Sequence, residues 1–229
     1  MTEIVEAAEY VCQEKVNIYD GPQSLNLATQ AASGRHLQVL AVETNAIAVR
    51  LCEDDYPGWM KRRDLSLLQP AMLPYRAIVW SPMEIQQRLQ WVIQYAKQAM
   101  QVRYQYVWGG TVPPHYDCSG LMQAAFAAVG IWIPRDAYQQ EAFCETISPT
   151  QSQPGDLVFF GDRSRIDHVG LYLGDGYYIH SSSPKHGNNG IAINRLTHTG
   201  NAVERYYYQR WQSIGRVSHS YQPSHASKE

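Results

Sequence analysis

Two β-rich runs, Ile166-Asp-His-Val-Gly-Leu-Tyr-Leu-Gly174 and Tyr177-Tyr-Ile-His-Ser-Ser182, flank Gly174-Asp175-Gly176. β-Branched and aromatic residues dominate both runs, and the Gly-Asp-Gly between them is a hairpin turn signal. A hairpin fixes register, and register fixes faces, because side chains alternate from one side of a strand to the other. A three-residue turn puts His180 opposite Gly170, with His168 two residues further along on the same face. The two imidazoles are then diagonal neighbours, close enough for one ring to orient the other. Asp167 adjoins His168 but faces the opposite side of the sheet, and Asp175 is in the turn; these two are the rivals of His180 as partner to His168.

A second stretch, His115-Tyr-Asp-Cys-Ser-Gly-Leu-Met-Gln-Ala-Ala-Phe-Ala-Ala-Val-Gly130, reads as a helix. Asp117 is a good N-cap, Leu121, Met122, Ala125 and Phe126 are its apolar positions, and Gly130 can close it in a left-handed conformation. Cys118 is thereby placed on the first turn. A free cysteine is commonly a small buried hydrophobe. At a helix N-terminus, however, unpaired N–H groups and the positive end of the dipole favour the thiolate, so a depressed thiol pKa is expected. A cysteine, a histidine base and a third polar group fixing the base's tautomer form the general arrangement of an activated nucleophile.

Four motifs occur in order: Asp117-Cys-Ser-Gly120, Pro154-Gly-Asp-Leu-Val-Phe-Phe160, Asp167-His-Val-Gly-Leu-Tyr-Leu-Gly174 and Ile179-His-Ser181. Together they resemble the NlpC family of papain-like cysteine peptidases, which cut bacterial cell-wall peptides. The resemblance implies an α+β catalytic domain with a helix-borne cysteine on an antiparallel sheet. It also implies catalytic roles for Cys118 as nucleophile, His168 as base and His180 as its orienting partner. Asp117 and Ser119 of the first motif are carried over as substrate-binding positions.

Ahead of that domain, Val16-Asn-Ile-Tyr19, His36-Leu-Gln-Val-Leu-Ala-Val42, Ala46-Ile-Ala-Val-Arg-Leu-Cys52 and Tyr56-Pro-Gly-Trp-Met60 read as short strands of a small all-β barrel. Val16-Asn-Ile-Tyr-Asp-Gly-Pro22, Tyr56-Pro-Gly-Trp-Met60 and Leu67-Leu68 are similar to a bacterial SH3 domain. The expected division is therefore an SH3-like barrel at 1–70, a linker at 71–82 and the peptidase domain at 83–229. Ser81, Pro82 and Glu84 form a helix-start signature with a capping box. Ile85, Leu89, Val92, Ile93, Ala96 and Met100 then follow at helical spacing, and Trp91 is read as core. This helix should pack beneath the one that carries Cys118.

Between the helices, Tyr104-Gln-Tyr-Val-Trp-Gly-Gly110 is irregular. In the resembled family a tyrosine here lines the site, which offers Tyr106 as oxyanion support; a plain core aromatic is the alternative. Ile131-Trp-Ile-Pro-Arg-Asp136 leads into a short helix, Ala137 to Phe143. Family members often carry Arg, then Asp or Ser, then Ser at this place, bordering the cleft. Ala137 departs from that pattern, which puts a hydroxyl contact there in doubt. Asp136 suits both an N-cap and a substrate ammonium. Further strands are expected at Asp156 to Phe160, Gly190 to Ile193 and Ser213 to Val217, with a frayed tail from Ser218. His186, His198, His219 and His225 are expected in solvated loops or tail.

The net charge of −2 gives no basic footprint for nucleic acid. Cys12, Cys52 and Cys144 are scattered with no Cys-x-x-Cys pair, so they are read as structural, and neither a metal nor another cofactor is expected. No apolar run is long enough to span a membrane, and Met1 to Tyr10 lacks the features of a signal peptide, so a cytoplasmic location is expected.

From the resemblance, the bond cut is the γ-D-glutamyl linkage to a diamino acid, meso-diaminopimelate or lysine, in L-Ala-γ-D-Glu-diamino-acid peptides. Some members with an N-terminal SH3 domain require a free L-Ala amine, because that domain closes the end of the cleft and contributes a tyrosine; Tyr56 best matches that tyrosine. An amidase or acyltransferase on the same fold and a non-catalytic wall-binding protein are the other readings.

Overall fold

The computed structural model of the chain describes residues 4–224 and, of His186, the backbone alone. His225 and the side chain of His186 lie outside the described residues.

The first half is all β. Strands β1 (Glu9–Cys12), β2 (Val16–Tyr19), β3 (Leu27–Ala31), β4 (His36–Val42), β5 (Ala46–Leu51), β6 (Pro57–Lys61) and β7 (Leu68–Pro70) form one antiparallel sheet in the order β3-β2-β6-β5-β4-β1-β7. Alternate residues such as Leu37, Val39, Ile47, Val49 and Leu51 turn inward onto Ile18 and Met60. β3 has no legible alternation because Thr29 and Gln30 are buried against the second half of the chain instead of this core. There Gln30 and Thr111 exchange backbone and side-chain hydrogen bonds of 2.8–3.2 Å.

The second half begins with α1 (Pro82–Ala99), opened by the expected capping box of Ser81 and Glu84. Its buried stripe is Ile85, Leu89, Val92 and Ala96. Trp91 does not join it: one residue before Val92 is a 100° turn away from the stripe, and the indole is 49 % exposed. A small ribbon, β8 (Thr111–Val112) and β9 (His115–Tyr116), precedes α2 (Cys118–Ala127), which packs on α1. Then follow α3 (Ala137–Phe143), β10 (Glu145–Ile147), β11 (Leu157–Gly161), β12 (Ile166–Gly174), β13 (Tyr177–Ser182), β14 (Gly190–Arg195), α4 (Ala202–Arg210) and β15 (Trp211–Arg216). The six strands form an antiparallel sheet in the order β10-β15-β11-β12-β13-β14, with α2 and α3 against β12.

The tail is not frayed over its described part. Ser220 Oγ accepts from Trp132 N–H at 2.9 Å, Tyr221 N–H donates to Trp132 O at 2.7 Å, and Ser224 N–H donates to Asp55 at 2.7 Å. These bonds strap the C-terminal segment to the segment around Trp132 and to the loop that carries Tyr56. His198 and His219 are exposed. Among the described residues, no helix is long and apolar enough to cross a membrane.

Candidate active site

Asp117 caps α2 by accepting Gly120 N–H at 2.7 Å, so Cys118 is the first residue of the helix. Gly120 is required two residues on, because a Cβ there would lie 2.0 Å from the carbonyl oxygen of Gly110. Cys118 is 6 % exposed. Its sulfur lies 3.9 Å from the carbonyl oxygen of Asp167, the residue before His168, and the backbone N–H groups of Ser119 and Val169 are near enough to favour its thiolate. Burial, reinforced by the Asp117 charge, pushes the thiol up to about 12, outweighing the N–H groups and Arg135. The depression expected from the helix terminus is thus overridden by desolvation, and Cys118 rests as a thiol, whose sulfur could attack only with the help of a base.

The hairpin puts that base in register. β12 and β13 pair Leu171 with Ile179 and Tyr172 with Tyr178, which sets Gly170 against His180. The turn itself differs from the expected three-residue loop. Asp175 and Gly176 form a two-residue turn with φ of 52° and 79°, and a bulge between Tyr172 and Gly174 absorbs the extra residue. The pairing beyond the bulge is unchanged.

His168 Nε2 and His180 Nδ1 are 2.7 Å apart, with the rings edge-on at 87°. His180 Nε2 lies 2.9 Å from Asn194 Oδ1, which also accepts from Asn188 Nδ2 at 3.0 Å. Asn188 Nδ2 is also 3.2 Å from His180 Nε2, but it donates to Asn194 Oδ1 at the shorter distance; the amide oxygen only accepts, which assigns the His180 hydrogen to Nε2 and offers the Nδ1 lone pair to the Nε2 hydrogen of His168. That assignment leaves the basic lone pair of His168 on Nδ1, the tautomer that can take a thiol proton. Burial lowers the pKa of His180, 0 % exposed, to about 4, with the Asn194 bond opposing the shift, so the ring stays neutral near pH 7. Tyr207 of α4 stacks on His168 at 4.4 Å and meets His180 edge-on at 4.8 Å. Asp167 instead pairs with Arg210 on the outer face, as the alternation of β12 requires.

Asn194 and Tyr207 were not read from the sequence. A buried asparagine is unusual in an apolar strand, and that is the one local signal Asn194 gave. Asn194→Leu removes the acceptor and frees His180 to adopt the other tautomer. A fall in kcat of about 10- to 100-fold is expected, with KM little changed. Asn194→Asp, which keeps an acceptor, should retain most of the activity; equal losses in both variants would refute the tautomer assignment.

A cleft of about 350 Å³ opens above the sulfur, between the two halves of the chain. The all-β half contributes Asp20, Leu27, Ala28 and Tyr56; the other wall includes Tyr106, Trp108, Asp136, Tyr138 and Arg165. Tyr106 is half-buried, and desolvation strongly raises its pKa, with the neighbouring Cys118 adding to the shift, so its hydroxyl keeps its proton. Tyr56 and Asp136, from different halves, face one another in this cleft; burial raises the Asp136 pKa and the Tyr56 hydroxyl opposes that rise. Asp136 also heads α3, with Gln139 Oε1 accepting its N–H at 3.2 Å.

Asp117 and Ser119, expected as substrate-binding positions, line the cleft, and their side chains are also engaged with the protein itself. Asp117 accepts from Gly109 N–H, Gly120 N–H and both terminal nitrogens of Arg135. Ser119 Oγ accepts from Arg135 at 2.8 Å. These two are the local framework of the nucleophile.

The geometry is matched by kinship. The NlpC/P60 family profile matches residues 103–216, and that of the bacterial dipeptidyl-peptidase Sh3 domain matches residues 18–65. Residues 103–216 are an NlpC/P60 domain. The crystal structure of an NlpC/P60 family protein from Bacillus cereus ATCC 10987 shares the fold, with a TM-score of 0.50 and 22% identity over 93% of this chain and 64% of that one. The probable endopeptidase p60 of Listeria monocytogenes serovar 1/2a is 41% identical over 95 residues, 42% of this chain and 19% of that protein. The gamma-DL-glutamyl hydrolase of Bacillus subtilis (strain 168) is 44% identical over 81 residues, 34% of this chain and 20% of that protein. The matches thus span about a fifth of these relatives' length. The whole is a papain-like NlpC/P60 α+β domain behind an SH3-like all-β region.

Proposed function

We propose that this protein is a cysteine endopeptidase that cleaves the γ-D-glutamyl to diamino acid bond, with meso-diaminopimelate or lysine on the leaving side, in L-Ala-γ-D-Glu-diamino-acid peptides whose L-Ala amine is free. The observation that carries the reading is the Tyr56–Asp136 pair, one residue from each half of the chain, in the same cleft as Cys118. A hydroxyl and a carboxylate give a substrate ammonium charge-assisted hydrogen bonds, whereas an acylated amine offers no charge and adds bulk against the SH3 wall. The kinship with a gamma-DL-glutamyl hydrolase supports the same bond class.

In the mechanism, His168 takes the Cys118 proton as the sulfur attacks the γ-carbonyl carbon. The oxyanion is met by the backbone N–H of Cys118 and the Tyr106 hydroxyl. Collapse breaks the C–N bond, and His168 returns the proton to the departing amine. Water, deprotonated by His168, then hydrolyses the thioester and restores the thiol. His180, neutral and held by Asn194, keeps His168 in place throughout. Free-amine peptides arise once muramic acid has been removed, so the role that fits is recycling of wall peptides, in the cytoplasm.

The test is mass-spectrometric product analysis with L-Ala-γ-D-Glu-meso-diaminopimelate and its N-acetyl form. Release of L-Ala-D-Glu from the free-amine peptide is expected, with a preference over the acetylated one of about 100-fold that Asp136→Asn largely abolishes. Equal cleavage of both peptides would sink the amine requirement. Cleavage of neither would favour an amidase, acyltransferase or wall-binding role.

A further inference from the structure

Two guanidinium groups line the cleft, and they differ in what they have left to give. Arg135 is committed on all three nitrogens, to Thr29, Asp117 and Ser119. Arg165 is exposed, and among the described residues no carboxylate lies within ion-pair distance of it. It is nonetheless held in place. Its backbone N–H donates to Asp162 Oδ1 at 3.0 Å, its guanidinium carbon lies 4.6 Å from the ring centre of Tyr138, and the next residue begins β12, which carries His168. Burial raises the Asp136 pKa, and the Arg165 guanidinium is near enough to that carboxylate to oppose the rise. Arg165 thus stands on the Asp136 side of the nucleophile, stacked on Tyr138 and, among the described residues, in no ion pair.

We propose that Arg165 is a specificity-determining residue that binds the free α-carboxylate of the D-glutamyl unit; the inference rests on the reading given above. In a γ-linked glutamate the α-carboxylate is no part of the amide chain. It projects between the L-Ala amine and the γ-carbonyl. A peptide with its ammonium at Tyr56 and Asp136 and its γ-carbonyl at Cys118 carries that carboxylate into the stretch of cleft beside Arg165. The planar fork of an arginine suits a carboxylate, and the Tyr138 ring fixes its plane before the ligand arrives. A substrate whose α-carboxylate is amidated presents no charge there, so Arg165 would make the enzyme select the acid over the amide.

Steady-state kinetics on L-Ala-γ-D-Glu-meso-diaminopimelate and its α-carboxamide counterpart, L-Ala-γ-D-isoglutaminyl-meso-diaminopimelate, test this with wild-type protein, Arg165→Gln and Arg165→Lys. Wild-type kcat/KM should favour the carboxylate by about 10- to 100-fold, the range of a hydrogen bond to a charged group. Arg165→Gln should lose that factor on the carboxylate peptide alone, and Arg165→Lys should recover part of it. Equal losses on both peptides, or none, would overturn the assignment. So would a change confined to discrimination between diaminopimelate and lysine peptides, which would move Arg165 to the leaving side. Wild-type turnover of both peptides at equal rates overturns only the role of Arg165, whereas turnover of neither overturns the proposed function as well.

Discussion

Cys118→Ala is expected to abolish peptide turnover, lowering kcat by about 10⁴-fold or more, while stability changes by no more than about 1–2 kcal/mol. The two expectations separate because the sulfur is small and its surroundings are held by other groups. The N-cap bond from Gly120 N–H to Asp117, the packing of Leu121, Met122 and Phe126, and the Arg135 clamp all survive the substitution. His168→Ala should cost about as much as Cys118→Ala, and the double variant should be scarcely worse than either, because nucleophile and base act as one unit. Burst and steady-state kinetics measure the losses, and thermal denaturation measures the fold. Independent, multiplicative losses would mean that His168 is not the base for this thiol.

The raised thiol pKa sharpens that expectation. A preformed thiolate could still attack without its histidine, whereas a buried thiol near 12 cannot. In the proposed mechanism, proton transfer to His168 is therefore part of the attack itself. The His180–Asn194 pair matters for the same reason, since only one imidazole tautomer has a lone pair to receive that proton.

What could be read from the sequence was what depends on neighbours along the chain. The Ser81 cap, the Asp117 cap and the alternation that puts His168 and His180 on one face need only a few adjacent residues to specify them. The bulge between Tyr172 and Gly174 was invisible, yet it left the histidine register intact. Illegible parts depend on partners far away in sequence. Thr29 and Gln30 of β3 look too polar for a buried strand until Arg135 and Thr111 are seen to meet them. Tyr207 carries no local sign that it will stack on His168, and Ser220 and Tyr221 look like tail until Trp132 and Asp55 receive them. The Cys118 pKa failed for the opposite reason: the helix terminus is a local property, and the desolvation that outweighs it comes from the whole cleft.

Arg135 is where these long-range terms concentrate, and its removal is expected to give the largest loss of stability. The side chain is 2 % exposed, with Nη1 and Nη2 on the two oxygens of Asp117 at 3.2 and 2.6 Å and Nε on Thr29 Oγ1 at 2.9 Å. Arg135→Ala leaves the Asp117 carboxylate buried, 5 % exposed, with backbone N–H groups but no countercharge. Stranding one member of a buried pair costs about 3–5 kcal/mol, and at this chain length each kcal/mol lowers Tm by about 2–4 °C. Thr29→Ala, which removes one neutral partner of the same guanidinium, should cost only about 1 kcal/mol. Arg135→Ala with Asp117→Asn should recover part of the loss, because no buried charge then remains unpaired. Chemical denaturation of the full chain distinguishes these cases; if Arg135→Ala were no worse than Thr29→Ala, the guanidinium would be only an interdomain contact. The expected ordering makes Arg135 the clamp between the SH3 wall and the cap of the nucleophile helix. Through it the half of the chain that shapes the substrate end of the cleft also fixes where Cys118 points.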